Sequence, residues 1–142
     1  MRALLDVNVL VALLDPDHSL HIAATNWFSI HARNGWASCP ITQNGCVRVM
    51  CNPVYPGAFP IQAVVERLAA ASQTSLHEFW PDDLSLLDSS LFDSSRTHGP
   101  RQITDLYLLA LAVKRRGSFV TFDRKISTDA VKGAAKSHLV RL

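Results

Sequence analysis

Cysteine is scarce in this sequence, and the few that occur form no recognisable pattern. The three cysteines, Cys39, Cys46 and Cys51, include no C-x-x-C pair and are odd in number. A disulfide-stabilised secreted domain would need an even set of regularly spaced cysteines. The cysteine content therefore predicts a protein of a reducing, cytoplasmic compartment.

Long apolar runs are also missing, although 48% of the 142 residues are apolar. The most apolar stretch, near the start, is interrupted by Asp6, Asn8 and Asp15. We therefore expect no membrane-spanning helix, no secretory signal peptide and no membrane partner. Low-complexity segments and linkers are absent too, which predicts a single domain over residues 1–142.

Two common patterns of nucleophilic catalysis are absent as well. The sequence has no G-x-S-x-G motif, and Cys46 lies within a predicted helix without a histidine beside it. His18 and His21 follow two aspartates and could bind a transition metal, or they could lie at the exposed start of a helix. We favour the second interpretation because no cysteine or fourth ligand has suitable spacing.

Basic residues are concentrated toward the end of the chain. Residues 113–142 contain eight lysines and arginines but two acids, whereas residues 1–112 contain six basic and ten acidic residues. A one-sided positive charge is typical of a surface that binds a polyanion. It is equally typical of a solvated helix end, as at Lys114, Arg115 and Arg116. Charge alone leaves both interpretations open.

Hydrophobic patterning predicts short apolar strands that alternate with amphipathic helices. The predicted strands are RALLDV, GWASC, LHEFW, SFVTFD and HLVRL. The predicted helices cover residues 18–34, 40–51, 61–69 and 105–116, the last capped by Thr104, with a further helix from Pro81 into LSLLDSSLF. This alternation is typical of a parallel sheet between two helix layers, so we expect a three-layer α/β/α fold.

Three aspartates fall at the ends of predicted elements. Asp6 ends the first strand, Asp123 ends the fourth strand, and Asp105 lies in the first turn of the last helix. Each of them alone could simply cap a turn. Ligands of open α/β sheets bind beyond the carboxyl ends of the strands, and three carboxylates meeting there would repel one another without a cation. Oxygen ligands of this kind suit Mg²⁺ or Mn²⁺.

Four motifs occur in an order and spacing that are specific in combination. They are LLDVNVLVALL, PITQNGCVRV, RQITDLYLLALAV and FVTFDRK. Together they resemble the PIN-domain family, specifically its VapC-type toxins, over essentially the whole chain. The resemblance implies a compact α/β/α fold and a Mg²⁺- or Mn²⁺-dependent endoribonuclease that acts in a bacterial toxin–antitoxin pair. It also implies that Asp6, Asp105 and Asp123 are the catalytic and metal-binding acids.

One position departs from that family pattern. Family members usually carry a glutamate just before the NG segment, where this chain has Gln43. The resemblance assigns Gln43, Asn8 and Thr121 to contacts that support the acids, their metal or its water. Because a glutamine brings no charge, a second hypothesis is a catalytically weakened domain that acts mainly by binding RNA or antitoxin.

The resemblance also implies a reaction and a set of partners. Metal-activated water would cut RNA, such as tRNA or another structured RNA, and leave a 5′-phosphate and a 3′-hydroxyl. Arg101, Arg124 and Lys125 are the predicted RNA contacts, with ordinary solvated surface as the alternative. The implied protein partner is a VapB-like antitoxin, whose tail would occupy an apolar groove beside the helix of Trp27. Family members also commonly form homodimers.

A different class of protein fits the first strand less well. A receiver-like or phosphatase-like α/β domain could use Asp6 as a phosphoryl acceptor. A receiver, however, carries its acceptor at the end of a middle strand and a lysine later in the chain. The segment DVNVL also lacks the second aspartate of a phosphatase D-x-D motif. We therefore favour the nuclease hypothesis.

Overall fold

The computed structural model describes residues 1–142 and contains five strands and five α-helices. The strands are β1 (Ala3–Leu5), β2 (Trp36–Ser38), β3 (His77–Phe79), β4 (Ser118–Thr121) and β5 (Leu139–Arg141). The helices are α1 (Val7–Leu14), α2 (His21–His31), α3 (Pro40–Met50), α4 (Ile61–Ser72) and α5 (Ile103–Lys114). The strands form one sheet in the order β3-β2-β1-β4-β5, and all neighbouring pairs are parallel. None of the helices has the length and apolar character needed to cross a membrane.

Each face of the sheet has its own hydrophobic cluster. Leu4 of β1 packs on one face with Leu109 of α5 and with Trp80. Its neighbours Ala3 and Leu5 point to the opposite face, where they pack with apolar residues of α1, α3 and α4. Strands that are apolar on both faces are typical of a parallel sheet covered by helices on each side. The predicted three-layer α/β/α fold is confirmed.

The chain passes directly from β1 into α1, which brings the start of that helix to the carboxyl edge of the sheet. Gly45 of α3 lies against this start, and a Cβ atom at Gly45 would be 2.5 Å from Cγ2 of Val7. A larger residue would therefore force α1 and α3 apart. The close approach of the two helices fixes the position of Asp6, which immediately precedes Val7.

Two local predictions are wrong. Residues 81–91 form turns and irregular backbone rather than a helix. There the carboxylate of Asp88 accepts the N–H and the hydroxyl of Ser90 at 2.9 and 2.6 Å, and such local hydrogen bonds compete with a helix. Thr104 is not a cap either, because α5 begins one residue earlier, directly after a 3₁₀ turn over Pro100–Gln102.

Candidate active site

Asp6 lies between β1 and α1 and is buried, with 6% of its surface exposed. Its Oδ1 accepts the N–H of Val7 at 2.7 Å, and its Oδ2 accepts the hydroxyl of Thr121 at 2.6 Å. Asp6 therefore does cap α1, and the two hydrogen bonds hold its carboxylate in one orientation. Burial raises the pKa of Asp6, although the hydrogen bond from Thr121 opposes that effect.

Thr121 lies fully buried at the end of β4 and connects the predicted residues. Its hydroxyl donates to Asp6, and the same oxygen accepts the side-chain amide of Asn8 at 3.2 Å. It also accepts the backbone N–H of Asp123 at 3.0 Å. Asp123 in turn accepts the N–H of Lys125 on Oδ1 at 2.7 Å. Thr121 thus contacts both Asp6 and Asp123 and can orient them, and Asn8 contacts Thr121.

Asp105 lies in the first turn of α5 and lines the same cavity as Asp6 and Asp123. Burial, with a further contribution from the charges of Asp6 and Asp123, raises the pKa of Asp105 to about 6. None of the ion pairs in the structure involves any of the three aspartates. The fold therefore gathers three carboxylates without a basic side chain to neutralise them.

The cavity that these three aspartates line, here called the acid cavity, has a volume of about 320 Å³. Its carboxylate oxygens are the ligands that Mg²⁺ and Mn²⁺ prefer. The side chains do not form a closed set of three metal ligands. Because Mg²⁺ usually keeps several waters and contacts only one or two carboxylates directly, the open arrangement fits a hydrated ion.

Gln43 does not line the acid cavity. Its side-chain amide donates to Oγ of Ser38 at 3.0 Å, and the hydroxyl of Ser38 contacts Nε2 of His77 at 2.8 Å. Gln43 instead lines a separate cavity between α3 and α4. The structure therefore does not bring Gln43 to the three aspartates, and no fourth carboxylate lines the acid cavity in its place.

The three predicted RNA contacts do not all lie together. Arg101 and Lys125 line a cavity of about 440 Å³ with His98 and Asp123, here called the basic cavity. Because Asp123 lines both cavities, the basic cavity adjoins the acid cavity. Arg124 is exposed and lines neither of them.

Sequence reasoning did not place three further residues beside the aspartates. His18, Val49 and Tyr55 also line the acid cavity. The Nδ1 atom of His18 accepts the N–H of Leu20 at 3.0 Å, so this nitrogen is engaged by the fold rather than free for a metal. Tyr55 belongs to the loop between α3 and α4, whose proline and glycine content predicts a loop but no role.

Comparison with known proteins identifies relatives of the whole chain. The model of the PIN domain family matches residues 3–131. The chain is 54% identical to Ribonuclease VapC44 of Mycobacterium tuberculosis. The matched region spans 142 residues and covers 100% of both chains.

Two solved structures share the fold at low sequence identity. VapC20 of Mycobacterium tuberculosis, described as a Sarcin-Ricin loop cleaving toxin, has a TM-score of 0.57 and 10% identity, over 89% of this chain and 91% of that one. VapBC2 from Rickettsia felis, in a structure bound to a DNA fragment from the promoter, has a TM-score of 0.56 and 18% identity. The match covers 88% of this chain and 90% of that one. At such identities the likeness concerns the fold alone.

Proposed function

This chain belongs to the PIN-domain family, among its VapC-type ribonucleases, and from that premise we propose that it is the RNA-cleaving toxin of a toxin–antitoxin pair. The observation that carries the proposal is the meeting of Asp6, Asp105 and Asp123 in one cavity without a basic partner. Burial raises the pKa values of Asp6 and Asp105, and such perturbed carboxylates in a cleft are typical of a catalytic site.

Mg²⁺ or Mn²⁺ is the cofactor that fits these oxygen donors. Such a cation supplies positive charge for the scissile phosphate and makes water a stronger acid. Asp6 is already oriented by Val7 and Thr121, and Asp123 is oriented by Lys125. We assign Asp6, Asp105 and Asp123 to holding the ion, directly or through its waters.

Asp105 is the best candidate for the general base. Both oxygens of Asp6 accept hydrogen bonds and Asp123 accepts one, whereas the carboxylate of Asp105 is unrestrained. In the metal-free protein, burial also raises the pKa of Asp105 to about 6, so its carboxylate binds a proton more readily than that of an ordinary aspartate. Asp105 would take the proton of the attacking water while the oxygen of that water forms a bond to phosphorus. The bond from phosphorus to the 3′ oxygen then breaks, and that oxygen takes up a proton from solvent, which leaves a 5′-phosphate and a 3′-hydroxyl.

The proposed substrate is tRNA or another structured RNA with an accessible single-stranded segment. Arg101 and Lys125 lie in the basic cavity beside Asp123, within reach of the phosphates that neighbour the cleaved one. Arg124 adds positive charge at the exposed rim. Because the attacking group is water, the reaction does not need the RNA 2′-hydroxyl, so preference for RNA would come from shape and base contacts.

A VapB-like antitoxin is the proposed protein partner. Between α1, α2 and α4 lies an apolar cavity of about 280 Å³, lined by Leu10, Leu14 and Phe28 among other apolar residues. A cavity of this character suits the apolar side chains of a partner segment. Copurification of the chain with the product of a neighbouring reading frame would test this partner, and sedimentation would test the homodimer that we also propose.

One observation favours a second function, a weakened enzyme that acts mainly by binding RNA or antitoxin. The family resemblance implies a glutamate where this chain has Gln43, and the amide of Gln43 is held by Ser38 away from the acid cavity. The site therefore has three carboxylates, which reduces the negative charge available to a second cation. Gln43→Glu tests this function, because it restores the carboxylate of the family pattern.

The decisive experiment uses the purified chain, free of antitoxin, with a pool of cellular RNA that includes tRNA. Cleavage in Mg²⁺ or Mn²⁺, with mapped 5′-phosphate ends and no cleavage by Asp6→Asn, would support the nuclease. Absence of cleavage by the wild-type chain in both metals would contradict it. If Gln43→Glu then cleaved the same RNA, the weakened enzyme would be the better description.

A further inference from the structure

The acid cavity continues beyond the aspartates to a surface that the proposed reaction does not use. His18 and Tyr55 line it together with the acids, and both also line an adjoining cavity of about 350 Å³ with Asp15, Asp17 and Pro56. Asp123 joins the acid cavity to the basic cavity on the other side. The three cavities are therefore adjacent, with the aspartates in the middle.

The ring of Tyr55 is held in place by its neighbours. It packs against the hydrophobic cluster of α1, α3 and α4, and its centroid lies 6.4 Å from that of Phe59 at an interplanar angle of 45°. Its hydroxyl donates to Oδ2 of Asp15, a buried residue that ends α1. The loop is closed at its base, because Phe59 donates its N–H to the carbonyl of Met50 at 3.0 Å. The hydroxyl is thus occupied, and Tyr55 is a fixed part of the wall of both cavities.

His18 offers a hydrogen-bond donor beside that ring. Its Nδ1 accepts the N–H of Leu20 at 3.0 Å, so the neutral imidazole carries its proton on Nε2. The side chain is half-buried and lines the acid cavity. His18 therefore has one ring nitrogen committed to the fold and the other available to a ligand.

We propose that His18 and Tyr55 bind the base of a nucleotide adjacent to the cleaved phosphate, an inference that rests on the proposed nuclease function. Tyr55 stacks on the base, and Nε2–H of His18 donates to an oxygen or nitrogen on its edge. A phosphate fits this surface poorly because Asp15 and Asp17 lie beside it and no lysine or arginine lines it. The phosphates that follow would lie toward Arg101 and Lys125 in the basic cavity.

The test measures the binding of RNA with and without bases. The probes are a fluorescein-labelled, single-stranded, mixed-sequence RNA of eight nucleotides and a ribose-phosphate oligomer of the same length that lacks bases. Binding in Mg²⁺ is followed by fluorescence anisotropy in the Asp6→Asn background, which prevents cleavage. The variants are His18→Asn, which can keep the hydrogen bond to Leu20 but removes the Nε2 donor, and Tyr55→Leu.

The proposal requires a loss of binding that depends on the bases. We expect both variants to weaken binding of the intact RNA about 10-fold and to leave the baseless oligomer unchanged, since stacking on one aromatic ring accounts for an effect of that order. His31→Asn, the same substitution on α2 away from the cavities, should change neither. Equal losses on both probes, or no loss on either, would overturn the proposal.

Two further measurements distinguish failure of this inference from misfolding of a variant and from failure of the proposed nuclease function. Tyr55→Leu leaves buried Asp15 without its partner, so the thermal unfolding of this variant is compared with that of His18→Asn. If Tyr55→Leu does not fold, the binding data of His18→Asn alone decide the proposal. Cleavage by the wild-type chain is measured in parallel. Cleavage without base-dependent binding would contradict the role of His18 and Tyr55 alone, whereas base-dependent binding without cleavage would contradict the nuclease alone.

Discussion

Asp105 at the amino end of α5 and Asp83 beside its carboxyl end have opposite electrostatic surroundings. Asp105 lies in the acid cavity, where burial and two neighbouring carboxylates raise its pKa to about 6. Asp83 contacts Lys114 at 3.1 Å and Arg115 at 3.0 Å, and these partners lower its pKa. The fold pairs an aspartate with two cations at one end of the helix and leaves another unpaired at the opposite end.

This difference distinguishes residues that hold the fold from residues that are available for a ligand. Lys114 and Arg115 tie the loop after β3 to α5, so this part of the basic C-terminal segment is explained by intramolecular pairing. Arg101 and Lys125, at the other end of α5, form no ion pair and line the cavity beside Asp123. The positive charge proposed for RNA thus belongs to the basic residues that form no ion pair within the fold.

The largest expected difference in catalytic activity is between two variants that each remove one carboxylate charge, one at each end of α5. Asp105→Asn should lower kcat/KM for RNA cleavage at least about 100-fold, because general bases commonly contribute that much or more. Asp83→Asn, the matched change at the paired end, should leave kcat/KM unaltered. Initial rates on one RNA substrate provide the measurement, and similar losses in the two variants would contradict the contrast between the two ends.

Tolerance of an added methyl group should also differ between the two ends of α5, with the larger loss of stability at the carboxyl end. A Cβ atom at Gly117, just after α5, would lie 2.5 Å from the carbonyl oxygen of Arg2 and 2.7 Å from the ring of Trp80. We expect Gly117→Ala to lower the free energy of unfolding by about 1–3 kcal/mol through overpacking. Gly99, before α5, has no atom within 4 Å of such a Cβ, so Gly99→Ala should cost far less. Urea unfolding of both variants tests this, and equal destabilisation would refute it.

The charge of Asp105 should also reduce the stability of the metal-free protein. Its pKa is raised from 3.8 to about 6, so the folded state favours the protonated form, and this stabilisation is lost as the pH rises through 6. Asp105→Asn should therefore be more stable than wild type at pH 7.5, by about 1–2 kcal/mol after solvent screening. The gain should disappear at pH 4. Unfolding in EDTA at the two pH values checks the sign, and a loss of stability at pH 7.5 would contradict it.

The smallest effect should come from the ion pairs of Asp83. Because the pKa of Asp83 is lowered, its contribution to stability is present above pH 3.8 and is lost as the pH falls through its folded value. Asp83→Asn should lower the melting temperature slightly at pH 7, less than Gly117→Ala does. High salt should remove the difference, since it screens exposed pairs. A difference that persists in about 1 M NaCl would show that the carboxylate acts by something other than charge.

Sequence patterns located much of the fold and the three central aspartates because both depend on neighbouring residues. The segments RALLDV and SFVTFD each combine a buried apolar run with an aspartate, which predicts a strand and the residue that ends it. The same reasoning failed for LSLLDSSLF. Its leucines have helical spacing, but Asp88 binds Ser90 and Leu87 is 92% exposed, so the leucines do not form one buried helical face.

The sequence by itself determined the α/β class and placed Asp6, Asp105 and Asp123 at the ends of elements, because hydrophobic period and turn residues act over short distances along the chain. Only the tertiary structure decided which cavity each side chain lines. Thr121 reaches Asp6 across 115 residues, and Tyr55 reaches Asp15 across 40. Gln43 turns to Ser38, whose hydroxyl contacts His77 of the neighbouring strand. Such contacts depend on the order of the strands and the packing of α1 against α3, neither of which a local pattern encodes.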